Sequence, residues 1–451
     1  MNLFGTDGIR GVANDDLTPE TAFKLGLALG LYVMPGGKVG VAKDTRVSGD
    51  MLEASVVAGL CASGCKAVTF GVLTTPGLSY LIRETALDGG VMISASHNPG
   101  EFNGLKVFGP TGRKIDDFLE EKISSFILGD FKEAGRPTGR SVGRVVRAEG
   151  EVSKYVEFLS GIPRVSFSGL KVTVDCANGA TGKVARQVWE NLGASVKAFN
   201  CEGDGEIINF QCGSTHPEAL AKRMKEEDFD VGFTHDGDGD RCIAVNSCGG
   251  VEDGDHIIGV MARDMKERGC LNQDTVVGTV MSNLGLEQYL TSLGIRFVRT
   301  AVGDRYVLEE MDRGGYSLGG EQSGHIIFRD ISPAGDGIMT SLLLTEVLVR
   351  RGVTLETLTA QIPSIPQVLM NVPVRDKNRA IRSPALEKEL GRARAELQGR
   401  GRVFVRPSGT EPVIRVMVEA PETRVADGWA CRIAEVIRST ETGENVNEKI
   451  E

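Results

Sequence analysis

The 451 residues carry no surplus of basic charge: 51 Lys and Arg stand against 61 Asp and Glu, a net charge of −10. A general nucleic-acid binder would show a basic face, so that class is set aside. The nine cysteines include no C-x-x-C pair. Neither a zinc ribbon nor a dithiol redox centre is therefore encoded, and the thiols read as reduced, as in a cytoplasmic protein. Long apolar runs are missing too. The longest, residues 22–34, is broken by Lys24 and by glycines. It is too short to span a bilayer and reads as a buried helix. Residues 1–7 lack the basic and apolar regions of a secretion signal. The expectation is a cytoplasmic protein with neither a membrane nor a nucleic acid as partner. Low-complexity tracts are absent as well. Hydrophobic residues at 41% and charged residues at 25% are the mix of a folded chain, and the length suits two to four domains.

Glycine, by contrast, is plentiful: 58 residues, roughly twice the usual share of about 7%. It recurs at the ends of hydrophobic runs. A strand–helix–strand pattern is written three times, opening at residues 38–44, 170–179 and 275–283. Each helix-like segment closes on a glycine, Gly64, Gly193 or Gly294, the expected helix C-cap. A third strand in each copy runs into a loop dense in polar residues, at 94–99, 234–241 and 319–325. Such repeats read as βαβ units with largely parallel sheets, whose ligands sit at the carboxyl ends of the strands. Residues 129–150, rich in Gly and Arg, and 363–373, with three prolines, read as connectors. Beyond them, 385–397 and 424–438 are helical in pattern, and 403–406 and 413–419 are short strands around a loop. The expected fold is α/β with four domains. Three are similar βαβ-type units with mixed sheets (1–150, 151–252 and 253–366), and the fourth is a smaller α+β domain (367–451).

The loop Ser94-Ala95-Ser96-His97-Asn98-Pro99 exposes two hydroxyls and an imidazole at a strand tip. An ordinary Ser/Asn/Pro turn would look the same. Neighbours in extended chain point to opposite faces, so His97 is badly placed as a base for Ser96, and no G-x-S-x-G elbow is present. A nucleophilic Ser96 must be activated from elsewhere in the fold. In Asp236-Gly237-Asp238-Gly239-Asp240-Arg241 three carboxylates alternate with two glycines. The glycines let the backbone turn all three toward one centre, and carboxylates suit a hard divalent cation. Like charges about 4 Å apart repel by roughly 4 kcal/mol per pair at an effective dielectric of 20, so the run demands a cation. An EF-hand fails, because Arg241 and Ser247 occupy its glycine and glutamate positions. Residues 177–184 approach a P-loop but have Ala177 and Val184 where Gly and Ser/Thr belong. Gly319-Gly320-Glu321-Gln322-Ser323-Gly324-His325 offers the mixed donors and acceptors that sugar hydroxyls need. Arg406-Pro407-Ser408-Gly409-Thr410-Glu411-Pro412, with Arg415 beyond it, makes a plausible phosphate cradle.

Taken in order, Phe4-Gly5-Thr6-Asp7-Gly8-Ile9-Arg10-Gly11 and these four loops resemble the α-D-phosphohexomutase family over essentially the full length. Gln322 within its loop, Val302-Gly303-Asp304-Arg305-Tyr306-Val307 and Cys212-Gly213-Ser214-Thr215-His216-Pro217 are similar to its branch acting on glucosamine phosphates. The resemblance implies four domains around a central cleft, with Ser96 phosphorylated in the resting enzyme. Ser96, Asp236, Asp238 and Asp240 would bind Mg²⁺. Arg10, Lys106 and His325 would serve proton transfer and charge stabilisation beside Ser96. Arg241, Gly303, Asp304, Arg305, Glu321 and Ser323 would contact the sugar phosphate, and Arg406, Ser408, Gly409, Thr410 and Arg415 would hold its non-reacting phosphate. The implied reaction interconverts glucosamine 6-phosphate and glucosamine 1-phosphate, with glucosamine 1,6-bisphosphate or a related hexose bisphosphate as activator. A homodimer is left open. Three aspartates and a phosphate dianion sum to about −5, which Mg²⁺, Arg241, Lys106 and Arg10 would offset. Competing readings are the same chemistry on glucose or mannose phosphates, a Mg²⁺-dependent sugar phosphatase, and a non-catalytic sugar-phosphate sensor.

Overall fold

Strand Lys38–Lys43 buries Val39, Val41 and Ala42 completely, as a strand covered on both faces must. In the computed structural model, which describes residues 3–5, 7–129, 135–408 and 412–442, it is parallel to Lys66–Val72 on one side and Gly89–Ile93 on the other. The sheet is extended by antiparallel Phe102–Phe108 and Ile9–Val12 and, at the far edge, by parallel Val145–Arg147. The second sheet repeats this plan. Lys171–Asp175 lies between parallel Ser195–Phe199 and Val231–Thr234, and Ile243–Asn246 then returns antiparallel to Val231–Thr234. In the third, Thr275–Thr279 lies between parallel Arg296–Thr300 and Leu318–Gly320, and Ile326–Phe328 returns antiparallel. In all three sheets the third parallel strand in chain order is followed by an antiparallel return, and the turn between them holds one of the three loops singled out above.

The apolar run at 22–34 forms a helix, as expected: α-helix Pro19–Ala28, capped by the Thr18 side chain on Thr21 N–H, then a π-helical turn Leu29–Val33. Lys24, which broke that run, donates its Nζ to the Ile127 carbonyl at 2.9 Å. Two connectors hold more structure than expected. Val145–Arg147 is a strand, exposed along its length at the sheet edge, where no apolar alternation is needed. Gln367–Pro373 is a strand with a proline only at its last position. It too lies at an edge, where proline is tolerated.

Contacts divide the chain into two units, Met1–Met281 with Leu293–Gln361 and Ser282–Ser292 with Ile362–Glu451. The larger holds the three mixed sheets. The smaller holds an antiparallel sheet with Val413–Glu419 between Gln367–Pro373 and Arg402–Pro407. Helices Pro384–Leu397 and Thr423–Thr442 accompany it, and Leu386, Leu390, Trp429 and Ile433 join Val416 and Val418 in its core. All nine cysteines are free thiols. Among the described residues no helix is long and apolar enough to cross a membrane.

Candidate active site

Gly89–Ile93 is buried throughout and delivers the loop 94–99 at its carboxyl end. The loop does not stay extended. Ser96 has a left-handed backbone at φ 54°, rare for a residue with a Cβ and of order 1–3 kcal/mol in cost. The turn brings His97 Nδ1 to 3.4 Å from Ser96 Oγ, contrary to the opposite-face expectation, which assumed an extended chain. Burial, then the charges of Arg241 and Arg10, pushes the His97 imidazole down to about 3. Ser96 is 1% exposed, and its Oγ donates to Asp236 Oδ2 at 2.5 Å.

Asp236 belongs to the loop that follows the buried strand Val231–Thr234. Gly239 is left-handed at φ 73°, and a Cβ there would lie 2.5 Å from Thr181 Cγ2. A Cβ on Gly237 would meet the Ser96 carbonyl oxygen at 2.7 Å. Both glycines are thus required by conformation or by close approach. The loop is pinned from outside by Ala180 N–H on Gly237 O, Thr75 N–H on Asp238 O and Gly337 N–H on Gly239 O, at 2.8, 2.9 and 3.0 Å. As a result the carboxylates of Asp236, Asp238 and Asp240, all buried, bring one oxygen each within 4.8 Å of one another.

Cations surround this cluster. Lys106 Nζ, fully buried, lies 2.7 Å from Asp238 Oδ2, 3.0 Å from Asp7 Oδ2 and 3.9 Å from Asp240 Oδ2. Burial opposes its charge, but Asp238, Asp7 and Asp240 raise it well above the ordinary lysine value. His325 Nδ1 lies 3.6 Å from Asp240 Oδ2 and its Nε2 3.9 Å from Asp304 Oδ2. Against burial, Asp240 foremost and then Asp304 push the imidazole up to about 9. Arg10 is paired to Asp7 and reaches the Ala95 carbonyl and Asn98 Oδ1, each at 3.3 Å. These groups do not neutralise the cluster. Burial, then Asp240 and Asp238, pushes the Asp236 carboxyl up to about 8. Asp238 Oδ1 and Asp240 Oδ1 are buried without a hydrogen-bond partner. Buried carboxylate oxygens left bare are costly, and a divalent cation held by oxygen ligands would satisfy them. The residues therefore fit Mg²⁺.

The third loop docks on the second through Cys242 N–H on Gly324 O at 3.0 Å. Glu321 Oε1 accepts Gly303 N–H at 3.0 Å, joining two stretches that the sequence assigned to sugar contact. Ser323 is half-buried in the same loop. Glu321 also acts on Arg241, whose guanidinium it holds charged after Asp236 and Asp240, despite burial. A cavity of about 170 Å³ opens here, lined by Thr75, Lys114, Asp240, Asp304, Arg305 and His325 among others. Arg305 lines it with its guanidinium committed elsewhere, to Asp117, Glu120 and the Ile115 carbonyl. In the smaller unit Arg406 and Arg415 are cross-strand partners. Burial and the like charge of Arg415 hold Arg406 below the ordinary guanidinium value. Ser408 N–H donates to Val413 O at 2.9 Å, and Gly409 and Thr410 lie outside the described residues.

Missed site residues include Asp7, Lys114 and Thr75, whose Oγ1 donates to Asp238 Oδ2 at 2.5 Å. Asp7 bridges Lys106, Lys114 and Arg10, and Lys114 reaches Asp304 at 2.7 Å. Asp7 sits in the quoted N-terminal motif, where a lone acid between glycines was a usable signal. Lys114 had only its neighbour Arg113 to mark it.

Four family models, described as the phosphoglucomutase/phosphomannomutase alpha/beta/alpha domains I, II and III and C-terminal domain, match residues 1–134, 153–249, 253–365 and 369–436. A curated phosphoglucosamine mutase from Clostridioides difficile (strain 630) is 47% identical over 440 residues, covering 96% of this chain and 98% of its own. A solved phosphoglucomutase/phosphomannomutase family protein from Burkholderia thailandensis shares the fold at TM-score 0.82 and 24% identity, with 98% of both chains covered. An N-acetylphosphoglucosamine mutase from Aspergillus fumigatus, solved with GlcNAc-6P and magnesium, shares it at TM-score 0.70 and 20% identity, covering 98% of this chain and 96% of its own. With its four domains matched in order and a relative similar from end to end, the chain belongs to the phosphoglucomutase/phosphomannomutase family of α-D-phosphohexomutases.

Proposed function

We propose that this protein interconverts glucosamine 6-phosphate and glucosamine 1-phosphate through a phosphoserine at Ser96 and a 1,6-bisphosphate intermediate. The observation that carries the reading is Ser96 Oγ on Asp236 at 2.5 Å, inside a buried three-aspartate cluster. The choice of amino sugar rests on the relative named phosphoglucosamine mutase, 47% identical across 96% of the chain. In the forward direction the bond from phosphorus to Ser96 Oγ breaks, a bond from phosphorus to the sugar 1-hydroxyl oxygen forms, and the proton of that hydroxyl ends on Ser96 Oγ. The bisphosphate then turns over, the bond from phosphorus to the sugar 6-oxygen breaks as that phosphoryl group returns to Ser96 Oγ, and the Ser96 proton ends on the 6-oxygen.

Phosphoryl transfer asks the protein mainly for position and charge. Asp236, Asp238, Asp240 and the Ser96 oxygen would hold Mg²⁺, which would supply positive charge to the phosphoryl oxygens. Lys106 and His325 flank the same carboxylates, which favour their charged forms, and would serve charge stabilisation and proton transfer beside the transferring group. Arg10 braces the serine loop at Ala95 and Asn98. Glu321, with Gly303 N–H on its carboxylate, and Ser323 suit sugar hydroxyls, and Arg241, Asp304 and Arg305 would line the same substrate. In the smaller unit the adjacent guanidinium groups of Arg406 and Arg415 suit a phosphate dianion. Ser408, Gly409 and Thr410 would complete that cradle. A glucosamine or related hexose 1,6-bisphosphate would prime Ser96. The product fits cytoplasmic synthesis of cell-envelope amino-sugar precursors such as those of peptidoglycan.

The test is a mutase assay on glucosamine 6-phosphate, glucose 1-phosphate and mannose 1-phosphate in parallel, with Mg²⁺ and the matching bisphosphate. The expected result is the highest kcat/KM for the amino sugar. Preference for glucose or mannose would reject the substrate and keep the chemistry. Release of free phosphate without isomerisation would reject the mutase in favour of a phosphatase.

A further inference from the structure

Arg46 takes no part in the chemistry above, yet it holds the serine loop. It follows strand Lys38–Lys43, and its side chain is fully buried. Its guanidinium donates to four carbonyls of one loop: Ser96 O at 2.9 Å, Asn98 O at 2.7 Å, Phe102 O at 2.9 Å, and Pro99 O. Nε donates to Asp44 Oδ2 at 2.9 Å. That same carboxylate oxygen accepts Ser94 Oγ at 2.6 Å, and Ser94 Oγ accepts Ser96 N–H at 2.9 Å. Both backbone polar groups of Ser96 are therefore tied to one frame, the carbonyl to Arg46 and the amide to Asp44 through Ser94. From the second domain, Asn209 Nδ2 adds a donor to Ser96 O at 2.9 Å and to Asn98 O at 3.1 Å. A planar fork of five N–H donors can span several carbonyls at once. A lysine ammonium concentrates its three donors at one point.

We propose that Arg46 is the positioning residue for phosphoryl transfer at Ser96. By gathering the carbonyls of residues 96, 98, 99 and 102, it keeps Ser96 left-handed and its Oγ on Asp236. The proposal rests on the reading of Ser96 as the phosphoryl carrier. Arg46 bonds the loop through backbone carbonyls rather than through Oγ, and none of its bonds goes to the Glu321 loop or to the smaller unit. Its loss should slow transfer and leave sugar affinity alone.

The experiment compares the parent with Arg46→Lys in full-length protein. It measures kcat, KM, melting temperature, and the rate and stoichiometry of Ser96 phosphorylation by glucose 1,6-bisphosphate. Misplacing a reacting group by about 1 Å costs on the order of 10²-fold. The expected result is a kcat lower by about that factor, KM within about twofold, a near-parental melting temperature, and phosphorylation that is slow but reaches full stoichiometry. A folded Arg46→Lys with kcat within about threefold of the parent overturns the proposal, as does a change confined to KM. If Arg46→Lys does not fold, Ser94→Ala removes one oxygen from the same frame. A kcat reduced about tenfold at constant KM then supports the proposal, and an unchanged kcat overturns it. A parent that takes up no phosphate at Ser96 rejects the phosphoserine reading itself, a result distinct from either variant outcome.

Discussion

At Ser96 a strained backbone and a short hydrogen bond coincide: φ is 54°, and Oγ lies 2.5 Å from Asp236. Ser96→Ala keeps the backbone and deletes only the oxygen. Turnover should fall by at least about 10³-fold, and label from radioactive bisphosphate should no longer reach the protein. Near-normal turnover would sink the phosphoserine. Asp238 places Lys106 and Thr75 on one carboxylate oxygen and leaves the other bare. Asp238→Asn keeps the size and removes the charge. The Mg²⁺ concentration for half-maximal activity should rise about tenfold or more as activity falls, a loss of about 1.4 kcal/mol of binding per decade. An identical metal titration would count against the cluster. The residues themselves were legible because acids alternating with glycine have few uses. The turn at Ser96 was not. Left-handed backbone announces itself in sequence through glycine or asparagine, and here a serine adopts it with its carbonyl hydrogen-bonded to Arg46, 50 positions away.

Among the elements, buried parallel strands were the most readable, because continuous apolar runs bounded by glycine admit few alternatives. Val145–Arg147 was hidden for the opposite reason: an exposed edge strand carries no pattern. Packing between helices shows the same limit. In helix Gly254–Glu267, Asp264 is fully buried and pairs with Arg350 and Arg351, which end helix Gly337–Arg351, and with Arg268 at 3.5 Å. Nothing local in the sequence marks that meeting. Burial works against the Asp264 charge, but Arg350 and Arg351 hold its carboxyl below the ordinary aspartate value of 3.8. A depressed carboxyl stabilises the fold above its unfolded value and loses that contribution as pH falls through the folded one. Asp264→Asn should therefore cost about 1–2 kcal/mol at neutral pH, since the arginines are partly solvated. The gap in melting temperature from the parent should close as pH drops below about 4. A gap that stays constant from pH 7 to pH 3 would mean that the pairs contribute no charge-dependent stability.

For the molecule as a whole, the acidic cluster and the two-unit division make one joint demand. The carboxylates of Asp236, Asp238 and Asp240 all belong to the unit Met1–Met281 with Leu293–Gln361. Without a cation that unit must fold around buried like charges, and burial, then Asp240 and Asp238, pushes Asp236 up to about 8. A metal that binds only the native cluster stabilises by mass action, about 2.7 kcal/mol at a concentration one hundred times its Kd. The smaller unit has its own core of Leu386, Leu390, Trp429 and Ile433 against its sheet. Calorimetry should therefore resolve a Mg²⁺-dependent transition, moved up by several degrees on adding MgCl₂ and reversed by EDTA, and a second transition that the metal leaves in place. Asp238→Asn should remove the metal shift from the first and leave the second alone. If both transitions move together, the units unfold as one cooperative body. If neither moves in the parent, the three aspartates do not bind Mg²⁺ in the native state, and charge balance at Ser96 must come from side-chain cations such as Lys106, His325, Arg10 and Arg241.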